Sequence, residues 1–453
     1  MKAAAGRMGI VLLAAAITGD VPALGQAPKG ERRAAADDIV PPKMDRDKIE
    51  RKLAAPVTDV AVGGGGRYLV LHQPSLRKLA VFDVNAGDVV GSIPAEDDVV
   101  LFTAGARKVF VTLGNTSVVQ RYSLETLERE ASVPFPAKAR IEGLYLGSGS
   151  NGPMLVNGRG VDGKVVTFFV ELARLRPVAV QPPPGKQRLE FGGGQFVRAS
   201  ANGRVFTSWN PGSSPEGLNA LVLAGAQARL SYQHDSYGHL VPSPDGHVVY
   251  TGRGPYTVEG KSLSKNDKKS EQYTLPATHG TDFYLSVTGG KQLHVHFTGD
   301  ERPFATPSNI ELPDGIDAWA RQPFGADKKI HYIPDANLII TIPSTSDRLV
   351  LHRFNFEAAL HKTDIDYLVV TSKPPASVRR GGTLKYTLAV RSKNDVTGYC
   401  LESGPKGLTV SDKGEVTWSV LQTASLGERT IVIAVRSAKG QEKFHNFAVA
   451  VVP

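Results

Sequence analysis

Residues 238–252 read GHLVPSPDGHVVYTG: an apolar strand, a tight turn on Pro244-Asp245-Gly246, and a second apolar strand. Proline presets the backbone at the start of such a turn and glycine supplies the positive φ at its end, so the stretch is a hairpin. Six other stretches share the plan. They are TDVAVGGGGRYLVLH turning near Gly66, LFTAGARKVFVTLG near Gly105, LYLGSGSNGPMLVNG near Gly152, FVRASANGRVFTSWN near Gly203, YLSVTGGKQLHVHF near Gly290 and IHYIPDANLIITIP near Ala336. The turns recur about every 45 residues. Second hairpins follow several of them, as in KLAVFDVNAGDVVGSIP at 78–94 and SVVQRYSLETLEREASVP at 117–134.

Four short strands per unit cannot bury both faces alone, so such units stack around an axis as the blades of a β-propeller. The sequence thus predicts an all-β fold whose first part, residues 57–362, is a seven-bladed β-propeller. The turn Pro244-Asp245-Gly246 and the run FDVNAGDVV resemble the broad WD40-like and YVTN-type propellers. The Trp-Asp and Gly-His signatures of true WD40 repeats are absent, so the resemblance implies an architecture and no particular function.

Beyond RFNFEAALHKTD the period breaks. Residues 363–453 carry alternating strands with Gly, Pro and Asp turns, at a length suited to a β-sandwich. Within them, Gly404-Pro405-Lys406-Gly407-Leu408, Val410-Ser411 and Gly414-Glu415-Val416-Thr417-Trp418 resemble the core of Ig/cadherin-like sandwich domains of bacterial exported proteins. The resemblance implies a structural or adhesive role, with Trp418 as a core anchor. The acidic motifs of calcium-binding cadherins are missing, so no calcium is expected.

The chain opens on MKAAAGRMGIVLLAAAITGDVPALGQAP, with basic Lys2 and Arg7, an apolar run from Met8 to Ile17 and small residues near Ala23–Ala27. That order is the signature of a secretory signal peptide over residues 1–27, and the run is too short to span a membrane. An exported protein is expected: periplasmic, cell-surface or secreted. Residues 28–56 are charged and Pro/Ala-rich and read as a flexible leader, with residues 45–56 as a candidate added strand to close the seventh blade. The single cysteine, Cys400, excludes an internal disulfide and is expected as a small buried hydrophobe. A net charge of +9 is modest against 44 acidic residues. The densest basic cluster, KSLSKNDKKSEQ at 261–272, has no interleaved aromatics, which argues for a solvated loop and against nucleic acid.

In a four-stranded blade the first and third turns lie at one end of the wheel, and the second turns and blade-to-blade connections at the other. The first end is short-looped here; the second carries longer, varied loops, where binding residues tend to sit. On this strand reading the candidate binding residues are Trp209, Arg253, Tyr256, Trp319, Arg321, Asp98, His234 and His279. Tryptophan at a loop mouth stacks on sugars or partner side chains, and arginine clamps carboxylates. His294 and His296 share one side of a strand, yet no metal-ligand framework accompanies them, and no metal or cofactor is expected. The glycines of GSGSNG at 147–152 lack a following helix, and no G-x-S-x-G elbow or P-loop occurs, so catalysis is not indicated. The preferred expectation is a non-catalytic module for a protein or glycan partner, with the sandwich as spacer or docking domain. The alternative, a propeller lactonase or hydrolase, requires His234, His279, Asp98 and Asp317 to converge on the central channel.

Overall fold

The computed structural model describes residues 38–97, 100–113, 118–135, 139–264 and 272–453. The expected signal peptide, the first part of the leader and Asp98 lie outside the described residues. Among the described residues, seven antiparallel up-and-down sheets precede the C-terminal unit along the chain. The innermost strands, in order, are Asp59–Gly63, Val100–Ala104, Ala139–Tyr145, Phe196–Ala199, Leu240–Pro242, Tyr273–Pro276 and Ile330–Ile333. Among the described residues, the fifth sheet has three strands and the other six have four.

Apolar residues alternate along these strands, and each sheet buries its faces against its neighbours. Leu79, Val81 and Ile93 of the first sheet share a core with Val109 and Val111 of the second. Phe110 and Val119 of the second meet Met154 and Val156 of the third. The ring closes where Ile340 and Leu351 of the seventh sheet pack against Leu71 and Phe82 of the first. The architecture is a β-propeller, built from the repeat that the hairpin at 238–252 announces. At that hairpin Gly246 (φ +77°) closes the turn through its N–H to the Ser243 carbonyl at 2.9 Å. A Cβ there would lie 2.6 Å from Val205, so both conformation and space demand glycine.

Three expectations need correction. The leader is not free over its whole length: within the stretch 45–56 named as a candidate closing strand, Lys48–Lys52 is the outermost strand of the last sheet, pairing antiparallel with Arg348–Arg353. Ile49 and Leu53 are buried there, so the apolar residues spaced among the charges mark a strand in place of a flexible tether. In the sixth sheet, YLSVTGGKQLHVHF forms the second and third strands, because Tyr273–Pro276, only four residues long, takes the inner position. Cys400 is exposed, since its strand Val396–Ser403 lies at the edge of its sheet with the thiol facing outward.

A short helix, Phe356–Lys362, capped by the Asn355 side chain on the Ala358 N–H, leads to a second β unit. There Ser377–Arg379, Glu442–Val452, Gly427–Ser437 and Val396–Ser403 form one sheet, and Thr383–Thr387, Glu415–Ser419 and Leu408–Val410 another. Both contribute to one core containing Leu384, Trp418, Ile431, Ile433 and Val449. Trp418 is buried in it. No helix among the described residues is long and apolar enough to cross a membrane.

Candidate binding site at the channel mouth

The innermost strands surround a central channel of about 580 Å³. At the short-turn end it is closed by backbone. Gly64 N–H donates to the Gly105 carbonyl, Ala106 to Ser150, Gly149 to Ala201 and Asn202 to Pro244, all at 2.9–3.0 Å, stitching the turns of five successive sheets together. The glycine turn of the first sheet, Gly64–Gly66, then crosses the axis. Gly65 N–H reaches the Ser148 carbonyl in the third sheet at 2.8 Å, and its carbonyl accepts from His279 Nδ1 of the sixth at 2.7 Å. Gly65 at φ +63°, with Gly149 and His279 about 4 Å from where its Cβ would be, makes that crossing possible.

The C-terminal β unit contacts this same end. Lys373 Nζ and His279 Nε2 both approach Asp335 Oδ2 at 2.9 Å, Lys443 pairs with Asp282, and Tyr367 stacks on Phe297 at 5.9 Å. Burial works to raise the Asp335 carboxyl, but His279 and Lys373 outweigh it and hold it below the ordinary range.

The opposite, loop-rich end is where charged side chains meet the channel. Arg198, on the inner strand of the fourth sheet, donates through Nε to Asp327 Oδ2 at 2.5 Å, just before the seventh sheet begins. Burial penalises both charges, yet mutual attraction prevails: Arg198 sits above its usual value and Asp327 below it. Lys328 pairs with Asp59 at 2.5 Å and Arg159 with Glu142 at 2.9 Å. Tyr145 also lines the channel, and burial pushes its phenol up. Burial holds the His331 imidazole down to about 4, where it donates to the Lys328 carbonyl at 3.1 Å.

Residues 306–329 form a strap over this end. Asp314 exchanges two hydrogen bonds with Ser344 at the seventh sheet, and Ala318 fills the space left by Gly238 and Gly252 at the fifth. Arg321 lies against Gly212 at the fourth, and Pro323 accepts from Arg198.

The structure separates the residues singled out in the sequence. Trp209 is 3% exposed, edge-to-face on Phe196 at 5.5 Å, with the Arg198 guanidinium 5.2 Å from its ring centre. It is no exposed stacking platform, because its strand buries it between the fourth and fifth sheets, and it backs Arg198. Arg253 pairs with Asp235 at 3.3 Å. Tyr256 is half-buried, edge-to-face on Tyr237 at 5.1 Å. Trp319 is half-buried in the strap beside Gly252, while Arg321 and His234 are exposed at the loop-rich end. His234 accepts or donates at 2.8 Å with the Tyr232 hydroxyl. His279 lies at the short-turn end, because the shifted frame of the sixth sheet makes its loop a first turn. His234 and His279 are therefore at opposite ends, Asp317 is exposed on the strap, and Asp98 lies outside the described residues. The convergence required for a hydrolase is not formed by the described members of that set. No group of three or more His, Cys, Asp or Glu among the described residues is arranged to hold a metal.

The sequence reading missed Asp59, Glu142, Arg198, Asp327 and Lys328. Their one signal was a charged residue inside a short apolar strand, as Arg198 is in FVRAS. No protein-family model and no curated protein matches this chain. Solved structures to which it is similar include Kluyveromyces lactis Hsv2, at 10% identity and TM-score 0.43, covering 64% of this chain and 90% of that one. Kuenenia stuttgartiensis hydrazine synthase is similar at 13% identity and TM-score 0.40, covering 68% and 97%. A mitotic checkpoint complex structure gives 12% identity and TM-score 0.44, covering 73% and 99%. The propeller assignment rests on the strand pairing and the ring of shared cores described above.

Proposed function

We propose that this chain is an exported, non-catalytic binding protein: a seven-bladed β-propeller offering its loop-rich face to a protein or glycan partner, with a C-terminal Ig/cadherin-like sandwich as its base. One observation carries the reading. The contacts of the C-terminal unit fall on the short-turn end, at Asp335, Asp282 and Phe297, which leaves the strap, the channel mouth and exposed Tyr232, His234 and Arg321 turned to solvent at the other. Rigid sheets holding varied loops are a common platform for recognition. The paired charges at the mouth favour binding over catalysis, since Arg198, Asp327, Asp59 and Lys328 are each committed to a partner.

The test compares immobilised mature chain with two variants of equal thermal stability, one altered on the face (Tyr232→Ala, His234→Ala, Arg321→Ala) and one on the sandwich (Leu421→Ser, Phe444→Ser). Each is presented to a glycan array and to an extract of the source organism, with captured proteins identified by mass spectrometry. The reading expects a defined glycan or protein retained by wild type and the sandwich variant and lost from the face variant. Loss from the sandwich variant alone contradicts it.

A further inference from the structure

We propose that the outer edge of the fourth sheet, Gln227–Gln233, is a docking edge for an extended peptide segment of a partner protein, one that alternates apolar with acidic residues. The inference rests on the protein form of the preceding reading and gives that partner a backbone conformation and a place on the rim, beside the loop-rich face.

The edges of the other sheets are guarded. A sheet edge offers a row of N–H and C=O groups to any arriving strand, and proline, bulges, charges or short length blunt it. Among the described residues, the outermost strands of the first, second and sixth sheets are Asp88–Pro94, Arg129–Pro134 and Pro303–Ala305. Each contains a proline and pairs through a register shift. That of the third, Pro177–Val178, is two residues long and starts on proline. In the fifth, Gly254–Thr257 contains Pro255, whose carbonyl accepts from the Leu263 N–H at 3.0 Å. In the seventh, Lys48–Lys52 carries four charges. Gln227–Gln233 is different: seven residues in unbroken register with Leu218–Ala224, without proline and with Arg229 as its one charge.

This edge already holds one residue of extended chain. Gln181 lies parallel to it, donating its N–H to the Ala226 carbonyl at 2.7 Å and accepting from the Ala228 N–H at 3.0 Å. A parallel strand would next need the N–H of residue 183. Pro182-Pro183-Pro184 follows instead, and proline has no N–H, so the pairing stops after one residue. Alternate residues of an antiparallel strand turn both backbone groups to the same side, so Leu230 and Tyr232 face outward as Ala228 does. Among the described residues, no group meets their outward N–H or C=O.

The side chains set the chemistry. Leu230 and Tyr232 share one face of the strand and are 40% and 55% exposed, an apolar shelf for every second residue of an incoming strand. The Tyr232 ring is positioned by its hydroxyl contact with His234 and by Gly217, where a Cβ would lie 2.8 Å from it. On the other face, exposed Arg229 makes no ion pair among the described residues, so it favours a carboxylate on the residues between. An added strand draws affinity from main-chain hydrogen bonds and selectivity from alternate side chains.

The probe is a fluorescein-labelled heptapeptide of alternating valine and glutamate, titrated with the full mature chain and read by anisotropy. Hydrogen exchange of residues 227–233 is followed by mass spectrometry in the same mixtures. Comparison peptides carry lysine in place of glutamate, or methyl groups on every backbone nitrogen. The glutamate peptide is expected to bind and to slow exchange in 227–233, and the methylated peptide, which tests the same bonds without altering the protein, is expected not to bind. Leu230→Pro removes an outward N–H at a position where an edge strand tolerates proline, and is expected to weaken binding about tenfold or more. Tyr232→Ala, which keeps every backbone group, is expected to weaken it less, and Arg229→Ala to abolish the preference for glutamate over lysine. The proposal falls if the glutamate peptide does not bind, if the methylated peptide binds equally, if exchange in 227–233 is unchanged on binding, or if a folded Leu230→Pro binds as wild type. A free chain that sediments as a dimer and becomes a monomer on Leu230→Pro gives the edge to a second copy and overturns the peptide assignment. Leu230→Pro leaves Tyr232, His234 and Arg321 in place. A partner lost from the face variant but retained by Leu230→Pro therefore excludes the edge while the face reading stands. Peptide binding lost only on Leu230→Pro, with nothing captured through the face, supports the edge while the face reading fails.

Discussion

At the scale of single residues, the mouth of the wheel is organised by one buried ion pair and the ring behind it. Arg198 and Asp327 are 129 positions apart, and their side chains are 15% and 5% exposed. Removing one partner leaves the other charge buried and uncompensated, so Asp327→Ala is expected to cost about 3–5 kcal/mol. Replacing both, as Arg198→Met with Asp327→Leu, should cost less than the two single changes together, which a double-mutant cycle by urea denaturation would measure. Additive losses would mean that the pair is not coupled. Trp209→Ala is expected to cost about 3–5 kcal/mol as a buried aromatic truncation. Trp209 was conspicuous in the sequence for its rarity, but its burial between sheets was not legible there. Arg198 was visible as a charge in a strand, whereas its partner, brought back by the strap, was not.

At the scale of elements, the repeat was legible because period-2 apolar alternation and turn residues are local properties. Closure was legible only in outline, as a candidate strand somewhere in residues 45–56. Lys48–Lys52 carries four charges in five residues, and only Ile49 points inward, so its strand character depends on the waiting edge of Arg348–Arg353. A chain beginning at residue 57 loses that strand and the buried Ile49 and Leu53, worth about 1.5–3 kcal/mol each in apolar burial. Its melting temperature should fall and it should aggregate through the bared edge. An unchanged melting temperature would show that the strand is dispensable. The sixth sheet was misframed for a related reason: its inner strand is four residues long, and the more regular hairpin beside it, YLSVTGGKQLHVHF, attracted the assignment.

At the scale of the whole molecule, the account describes a wheel with one covered end and one open end. Acid should loosen it. Burial holds His239, His296, His331 and His352 down to about 4, well below the 6.5 of an exposed imidazole. The unfolded chain therefore binds more protons than the folded one between those values, and stability falls as pH drops from about 6.5 towards 4. Each histidine loses about 1.4 kcal/mol per unit of that gap. Melting curves from pH 7.5 to 4 should show the decline beginning near 6.5, and a flat profile would contradict the burial of these rings. Export, expected from the sequence, is tested separately: mass spectrometry of protein recovered outside the cytoplasm should give a mature chain starting after residue 25 or 27. The two-ended organisation was only half legible, since loop lengths pointed to a recognition end while nothing local said where the second β unit would sit. The most direct test of the central claim is hydroxyl-radical footprinting of the full mature chain with and without the partner or glycan it retains. The account predicts protection of Tyr232, Trp319 and the strap, with Leu421 and Phe444 unchanged; protection of the latter pair alone would contradict it.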